Sequence, residues 1–237
     1  MKLANGACIA ALAAVLAGCA TTPQTRVTEA DPWERMNRGL FDVHETVDKV
    51  ILKPVVNVYT FITPQFVRTG VSNFFNNIDD LFSGVNGVLQ WKPQKAGDDF
   101  GRVLTNTMFG FGGVVDVASM AGIERGNEDF GQTFAVWGLP QGPYLFIPLL
   151  GPSTIRDASG TVVRFELSPT GYIDDVAVRN AIWAVGVVDA RYQAGETLDV
   201  VNQAALDKYT FIRNAYLQRR RYLIFDGKVP PDQEDKP

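Results

Sequence analysis

The feature that most constrains the fold is an uncharged segment in the middle of the chain, Phe130 to Ile155, which contains four prolines. Each proline lacks a backbone N–H donor and crowds the preceding turn, so the segment cannot form one continuous helix. It is also too apolar for an ordinary solvated loop. Irregular apolar backbone is stable when it is buried in protein or lines a cavity at membrane depth. The segment is therefore either a buried loop held by proline or the wall or gate of a path for an apolar ligand.

The N-terminus carries a targeting signal. Lys2 is followed by an apolar run through Leu16 that is too short for a permanent transmembrane helix, which is typical of a signal peptide. The run closes on Leu16-Ala17-Gly18-Cys19, which resembles the bacterial lipoprotein signal. We expect cleavage after residue 18, lipidation of Cys19 and, because Ala20 follows it, an outer-membrane destination. The alternative is an ordinary secretory peptide in which Cys19 is incidental.

Charge and cysteine content exclude several classes of function. Without residues 1–18 the chain has 21 basic and 26 acidic residues, a net charge of −5, which argues against a nucleic-acid partner. Loss of Cys8 and lipidation of Cys19 leave no cysteine for a disulfide or a metal site. We expect a lipidated tether at 19–30, one domain at 31–229 and a disordered polar tail at 230–237.

Most of the mature chain has helical patterning, so we predict an all-α fold. Proline and capping signals predict helix starts at Asp31-Pro32, Thr63-Pro64, Pro93 and Thr154. Pro54 is expected to end the first helix. Residues 161–167 fit either a helix or a strand because their apolar residues alternate. The weakly charged, aromatic-rich stretch 64–91 is interpreted either as core or as a surface at the bilayer interface.

Two long helices are predicted near the C-terminus, at about residues 173–193 and 196–223. Residues 181–188 carry no charge, so we expect them to be deeply buried. The run Arg219-Arg220-Arg221 is interpreted mainly as a solvated helix end, where cations complement the helix dipole, and the alternative is a basic site for an anion.

No catalytic constellation is recognisable. His44 is the single histidine and is more typical of a structural residue, no G-x-S-x-G motif occurs, and Ser153 lies at a helix cap. Paired carboxylates such as Asp79-Asp80 are adjacent on a helix and point about 100° apart, so they do not converge. We expect no enzyme, no metal and no cofactor.

A series of short motifs in fixed order resembles the MlaA (VacJ) family of outer-membrane lipoproteins. The resemblance covers almost all of the mature chain, and its order and spacing are more specific than any single piece. The motifs begin with Cys19 and continue with Asp31-Pro32-Trp33-Glu34, Leu52-Lys53-Pro54, Gly70-Val71-Ser72-Asn73-Phe74-Phe75, Asn106-Thr107, Asp116-Val117-Ala118, Glu128-Asp129-Phe130-Gly131-Gln132-Thr133, Gly142-Pro143-Tyr144 and Pro148-Leu149-Leu150-Gly151-Pro152-Ser153 with Arg156-Asp157.

The resemblance implies a compact, ring-like helical body with an amphipathic channel, seated in the outer membrane. It implies removal of misplaced phospholipid from the outer leaflet and its transfer to a periplasmic carrier, which maintains lipid asymmetry. It also implies association with a trimeric porin and dependence on an inner-membrane ABC transporter system. Lipid anchoring on the periplasmic side of the outer membrane belongs to the same expectation.

The proline-rich segment supplies the candidate channel or gate, because prolines prevent its collapse into a helix and glycines allow it to hinge. The candidates are Gly138, Pro140, Gly142, Pro143, Tyr144, Leu145, Ile147, Pro148 and Gly151. The candidates for the polar side of a lipid route are Arg102, Arg156 and Asp157. Two alternatives remain: a structural envelope lipoprotein acting as a tether or scaffold, and a periplasmic hydrolase that uses His44 or Ser153.

Overall fold

The computed structural model describes residues 31–231. The expected signal peptide, the lipidated Cys19 and most of the expected polar tail lie outside the described residues. The chain begins with α1 (Glu34–Val47), one π-helical turn (Asp48–Leu52) and α2 (Lys53–Ile62). The prediction that Pro54 ends the first helix is wrong. Pro54 lies in the first turn of α2, and the backbone stays helical from the π-helical turn into α2, since Leu52 and Lys53 both have α-helical φ and ψ angles.

Asp31 is not the helix cap that its position suggested. Helix α1 starts at Glu34, after Trp33, with no side-chain cap. Asp31 is instead fully buried and accepts a 2.8 Å hydrogen bond from the side-chain amide of Asn37. The same carboxylate accepts hydrogen bonds from Tyr209 and Arg213. Asp31 therefore ties the beginning of the described chain to its last long helix.

A helical hairpin forms the largest contact between elements. Helices α3 (Gln65–Leu89) and α4 (Pro93–Phe109) are joined by three residues, and the predicted start at Pro93 is confirmed. The start predicted at Thr63-Pro64 lies one residue later, with Pro64 at the N-cap and no side-chain cap from Thr63. Their close approach depends on glycine, because a Cβ atom at Gly87 would lie 3.1 Å from the backbone nitrogen of Ala96. The short helix α5 (Val117–Met120) follows, capped by Asp116.

The proline-rich segment contains a β-hairpin, which the sequence did not predict. Helix α6 (Phe130–Val136) precedes it, and strands β1 (Tyr144–Ile147) and β2 (Gly151–Thr154) pair antiparallel with Tyr144 opposite Thr154. Thr154 then caps α7 (Ile155–Glu166), as predicted, by accepting from the N–H of Asp157 at 3.2 Å. The ambiguous stretch 161–167 is therefore helical.

The C-terminal part has three helices where two were expected. After a 3₁₀ turn (Pro169–Tyr172) come α8 (Val176–Gln193), α9 (Gly195–Ala204) and α10 (Lys208–Ile224). Residues 205–207 interrupt the predicted last helix because Asp207 caps α10, its side chain accepting from the N–H of Thr210 at 3.2 Å.

The buried core lies where α1, the hairpin and α10 meet. Phe41 packs edge-on against Phe146 and Tyr209, with ring centroids 5.2 and 5.9 Å apart, and Tyr144 lies 6.2 Å from Tyr209. The side chain of Asn37 takes the place of a third strand: it donates to the carbonyl of Tyr144 at 3.0 Å and accepts from the N–H of Phe146 at 2.9 Å. The hairpin is thus part of the core and is not a free loop.

Large apolar side chains remain exposed on α2, α3 and α8. Phe61, Phe66 and Trp183 are 89%, 77% and 58% exposed. The prediction that residues 181–188 are deeply buried is therefore wrong, because an uncharged helix can also face an apolar environment outside the chain. None of the helices within residues 31–231 combines the length and apolar composition needed to cross a membrane. The helical fold class is confirmed, with the small hairpin as its one addition in these residues.

Candidate functional site

Two cavities of similar size differ in the chemistry of their walls. The first, called the polar cavity, has a volume of about 490 Å³ and is formed by α3, the loop 125–129, the start of α6, β2, α7 and α10. The second, called the apolar groove, has a volume of about 500 Å³ and is formed mainly by α3 and α8.

The polar cavity mixes charge with apolar surface. Four carboxylates and four arginines line it: Asp79, Glu128, Asp129, Asp157, Arg125, Arg164, Arg219 and Arg220. Phe82, Phe130 and Leu223 line it as well, and Arg164 lies over the ring of Phe82 at 5.3 Å. A wall that offers both charged groups and hydrocarbon suits an amphiphile better than a wholly polar or wholly apolar solute.

Arg220 joins three elements at the base of this wall. It donates to Asp129, at the start of α6, at 3.0 Å and to Asp157, in α7, at 3.1 Å. Burial alone would lower the pKa of Arg220, but the bonds and charges of Asp129 and Asp157 raise it above its usual value. Burial would likewise raise the pKa of Asp129, and Arg220 holds it below its usual range. Both groups are therefore charged at neutral pH.

Tyr216 completes the same cluster from α10. Its hydroxyl donates to Asp157 at 2.7 Å, and burial together with the charge of Asp157 raises its pKa well above the usual value. Glycines allow the close approach of α6 and α7. A Cβ atom at Gly160 would lie 2.6 Å from the backbone nitrogen of Gly131, and one at Gly131 would lie 2.5 Å from a carboxylate oxygen of Asp157.

Arg125, which also lines the polar cavity, belongs to a second charge network. Arg125 donates to Asp80 at 2.6 Å, and Arg102 donates to the other oxygen of Asp80 at 2.9 Å. Arg102 also pairs with Asp116 at 3.0 Å. Burial would raise the pKa of Asp116, but hydrogen bonds from Ser119 and then Arg102 lower it to about 2.

Glu128 connects the charged wall, through two lysines, to the residues that follow α10. Its carboxylate is almost fully buried and pairs with Lys95 at 2.7 Å and with Lys92 at 3.2 Å. Both lysines also contact Asp226, beyond the end of α10. Glu128 is therefore neutralised within the wall and leaves little net negative charge to face the cavity.

The apolar groove has no charged residue in its wall. It is lined by Phe66, Val67, Gly70, Val71, Phe74, Phe75, Val114, Ala181, Ile182 and Val185. The aromatic-rich helix α3 contributes to both: its C-terminal half faces the polar cavity, and its N-terminal half lines the exposed groove.

Comparison with known proteins identifies the family. The sequence profile described as "MlaA lipoprotein" matches residues 29–223. The chain belongs to the MlaA lipoprotein family. The resemblance expected from the short motifs is therefore confirmed.

Relatives and a solved structure agree with this assignment. The chain is 30% identical over 224 residues to the "Intermembrane phospholipid transport system lipoprotein MlaA" of Escherichia coli K12, covering 92% of this chain and 88% of the relative. It is 34% identical over 192 residues to an uncharacterized protein of Rickettsia felis, covering 81% and 76%. A solved structure from "Structural basis for maintenance of bacterial outer membrane lipid asymmetry" superposes with a TM-score of 0.71 at 31% identity, covering 83% of this chain and 100% of that one.

The nine residues expected to form an MlaA-type channel or gate lie on and around the hairpin, and none of them lines either cavity. Tyr144 is fully buried in the core, while Leu145 and Ile147 are half-buried on the other face of β1. Gly138, Gly142 and Gly151 have φ angles of +88°, +68° and +90°, which favour glycine. Pro140 is exposed, and Pro143 and Pro148 are half-buried.

The three residues expected on the polar side of a lipid route are separated by the structure. Asp157 lines the polar cavity, whereas Arg102 lies behind its wall in the network with Asp80. Arg156 is buried and donates from Nε to Asp157 at 3.1 Å, and its Nη2 has no partner within the described residues. Only Asp157 of the three is therefore placed to touch the contents of the cavity.

The sequence singled out the arginines of α10 but favoured a solvated helix end over a site for an anion. Arg220 is 7% exposed and pairs with Asp129 and Asp157, so its interpretation as part of a solvated helix end is wrong. A usable signal was the spacing of Tyr216, Arg219, Arg220 and Leu223, which repeats at three and four residues and predicts one helix face.

His44 and Ser153, the residues named for a hydrolase, both form hydrogen bonds with backbone groups. His44 accepts a hydrogen bond from the N–H of Leu149 at 3.2 Å, and Ser153 donates to the carbonyl of Thr154. Burial lowers the pKa of His44, which favours the neutral ring that accepts this bond. Within residues 31–231 no group of three or more His, Cys, Asp or Glu side chains is placed to hold a metal ion.

Proposed function

We propose that this chain is the lipoprotein of an intermembrane phospholipid transport system and helps to maintain the lipid asymmetry of the outer membrane. Membership of the MlaA family and the names of its relatives support this function. The observation that carries the mechanism is the polar cavity, because its wall offers charged groups and apolar side chains within about 490 Å³. A phospholipid has the same division between head and tails.

In this proposal the protein takes misplaced phospholipid from the outer leaflet and passes it to a periplasmic carrier. It is anchored through acyl chains on Cys19 at the periplasmic side of the outer membrane. The exposed apolar side chains of α2, α3 and α8 face hydrocarbon or an apolar partner, since patches of this kind mark membrane or protein contacts. A trimeric porin, the carrier and an inner-membrane ABC transporter system are the partners that the family resemblance suggests.

The protein acts as a conduit and performs no catalysis in this proposal. The hydroxyl of Ser153 and the ring of His44 are both engaged with backbone groups, and they lie on different elements. Energy for directed transfer then comes from the partner system. The hairpin residues 138–151 remain our candidates for a gate, acting behind the cavity wall through Pro152 and Ser153, which do line it.

A charge placed on the apolar part of the cavity wall tests the proposal. In a strain lacking its own copy of this protein, the wild-type chain should restore resistance to detergent, and Leu223→Asp should not, at equal abundance. The matched control is Gln218→Asp, an exposed position on another face of α10 that does not line the cavity. Full restoration by Leu223→Asp would favour the alternative, a tether or scaffold with no lipid route.

A further inference from the structure

The charges around the polar cavity balance except at one residue. Asp79 pairs with Arg164, Glu128 and Asp226 share two lysines, and Asp129 and Asp157 pair with Arg220 and Arg156. Of the four lining arginines, Arg125 is also engaged, by Asp80. Arg219 forms no hydrogen bond or ion pair with any residue in 31–231. Arg219 is therefore a lining cation that has no anionic partner within the described residues.

The position of Arg219 is fixed by the helix that carries it. Tyr216, Arg219, Arg220 and Leu223 form one face of α10, and all four line the cavity. Arg220 is buried in its pairs with Asp129 and Asp157, which holds this face against the cavity. The neighbouring Arg219 is exposed, so its guanidinium is solvated and able to reach an incoming group.

An arginine without a carboxylate, in an otherwise neutralised wall, favours a ligand that carries a single negative charge. The guanidinium offers paired N–H donors that match two oxygens of a phosphate. Phe82, Phe130 and Leu223 on the same wall add apolar surface for hydrocarbon. A phosphodiester attached to acyl chains satisfies both parts of the wall at once.

We propose that Arg219 binds the phosphodiester of a phospholipid held in the polar cavity. This inference rests on the proposed function and deepens it, because it assigns the recognition of the headgroup to one residue. The paired arginines then have a different role. Arg220, Arg125 and Arg164 stabilise the cavity wall, and Arg219 binds the ligand. The interaction is shared by all diacyl phospholipids, since the phosphodiester is common to them.

The test uses the full-length lipoprotein, extracted from membranes in a mild non-ionic detergent, and three probes. Dihexanoyl phosphatidylglycerol carries both phosphodiester and chains, dihexanoylglycerol carries the chains alone, and inorganic phosphate carries the anion alone. We expect Arg219→Gln to weaken binding of the phospholipid about tenfold, the usual effect of losing a charge-assisted hydrogen bond. Its affinity for dihexanoylglycerol should not change. Arg219→Lys should bind the phospholipid with an intermediate affinity.

Arg221→Gln is the matched control, because it removes the same charge from the same turn of α10 outside the cavity wall. It should bind all three probes as the wild type does. Equal weakening of both lipids in Arg219→Gln would overturn the proposal, since that result indicates a change in shape and not the loss of a phosphate contact. Displacement of the phospholipid by millimolar inorganic phosphate would also overturn it, in favour of a general anion site.

Restoration of the outer-membrane barrier separates this inference from the proposed function. If the wild type restores detergent resistance and Arg219→Gln binds the phospholipid normally, the inference about Arg219 fails and the proposed function stands. If the wild type neither restores resistance nor binds phospholipid, both fail. Because Arg219 is exposed, the abundance of the variant should match the wild type in the same cells.

Discussion

The polar cavity wall and the apolar surface of α2, α3 and α8 are built by opposite means. Behind the wall, charged groups such as Asp80 and Arg102 are 1% and 2% exposed and are stabilised by ion pairs and hydrogen bonds inside the chain. On the apolar surface, large side chains such as Phe66 and Trp183 project outwards with few partners inside the chain. Substitutions in the buried charge networks should therefore change the stability of the fold, whereas substitutions on the apolar surface should change what the fold contacts.

Removal of Arg220 should have the largest effect. Arg220→Met leaves Asp157 and Asp129 without their shared cation, and breaking a buried ion pair costs about 3–5 kcal/mol of folding free energy. Urea unfolding of the mature protein, followed by tryptophan fluorescence, measures the loss. Arg221→Met is the control and should cost about 1 kcal/mol or less. A stable Arg220→Met variant would mean that the wall does not depend on its charges.

Adding a methyl group where α6 packs against α7 should have the next largest effect on stability. Gly160→Ala places a Cβ atom 2.6 Å from the backbone nitrogen of Gly131, so the helices must separate, at a cost of about 2 kcal/mol. Gly97→Ala, in open space on α4, should instead stabilise the protein by about 0.5–1 kcal/mol. If both variants stabilise the protein equally, the approach of α6 to α7 is looser than the structure indicates.

The charged wall should also respond to acid. The pKa of Asp116 is about 2 in the folded protein and near 3.8 in the unfolded chain, so its contribution to stability is complete above about pH 4 and disappears as the pH falls towards 2. After solvent screening this contribution is at most about 1 kcal/mol. Unfolding midpoints of the wild type and Asp116→Asn should therefore converge between pH 4 and pH 2. If the unfolding midpoints of the two proteins instead change in parallel over this range, the pKa of Asp116 is not lowered in the folded protein.

The smallest effect on folding should come from the apolar surface. Phe66→Gln and Trp183→Gln should change the free energy of unfolding by less than about 0.5 kcal/mol, because both side chains are mostly exposed. They should reduce co-flotation of the protein with phospholipid vesicles. Phe146→Gln, in the buried core, is the contrasting variant and should lose about 3–5 kcal/mol. If Phe66→Gln floats with the vesicles as the wild type does, this surface does not contact the membrane.

The sequence predicted those parts of the fold that depend on local signals and missed those that depend on contacts between distant residues. Helix starts at Pro93 and Thr154 were predictable because a cap or a proline acts within a few residues of where it stands. The hairpin was not, because its stability comes from Asn37, more than 100 positions earlier in the chain, pairing with Tyr144 and Phe146. A strand held by a distant side chain leaves no local pattern to detect.

Burial was harder to predict than secondary structure. The uncharged run 181–188 gives the same pattern whether it faces a protein core or an apolar environment, and in this chain Trp183 is exposed. Conversely, Arg220 belongs to a run of three arginines that is typical of a solvated helix end. Its burial depends on Asp129 and Asp157, whose approach to α10 is a property of the tertiary fold. Of the proposed polar site, Asp157 was named as a candidate from the sequence, and Arg219 and Arg220 only through the alternative interpretation of their run as an anion site.

The buried position of Asp31 has a mechanical consequence. A polypeptide that enters a folded body through an exposed turn transmits little tension, because the turn simply unravels. At Asp31 the chain enters through a carboxylate bonded to Asn37, Tyr209 and Arg213, and Asn37 in turn bonds both neighbours of Leu145. A force applied to the chain before Asp31 would therefore act on the hairpin and on α10, the helix that carries Arg219. Asp31 and the polar cavity are thus connected through one helix, α10.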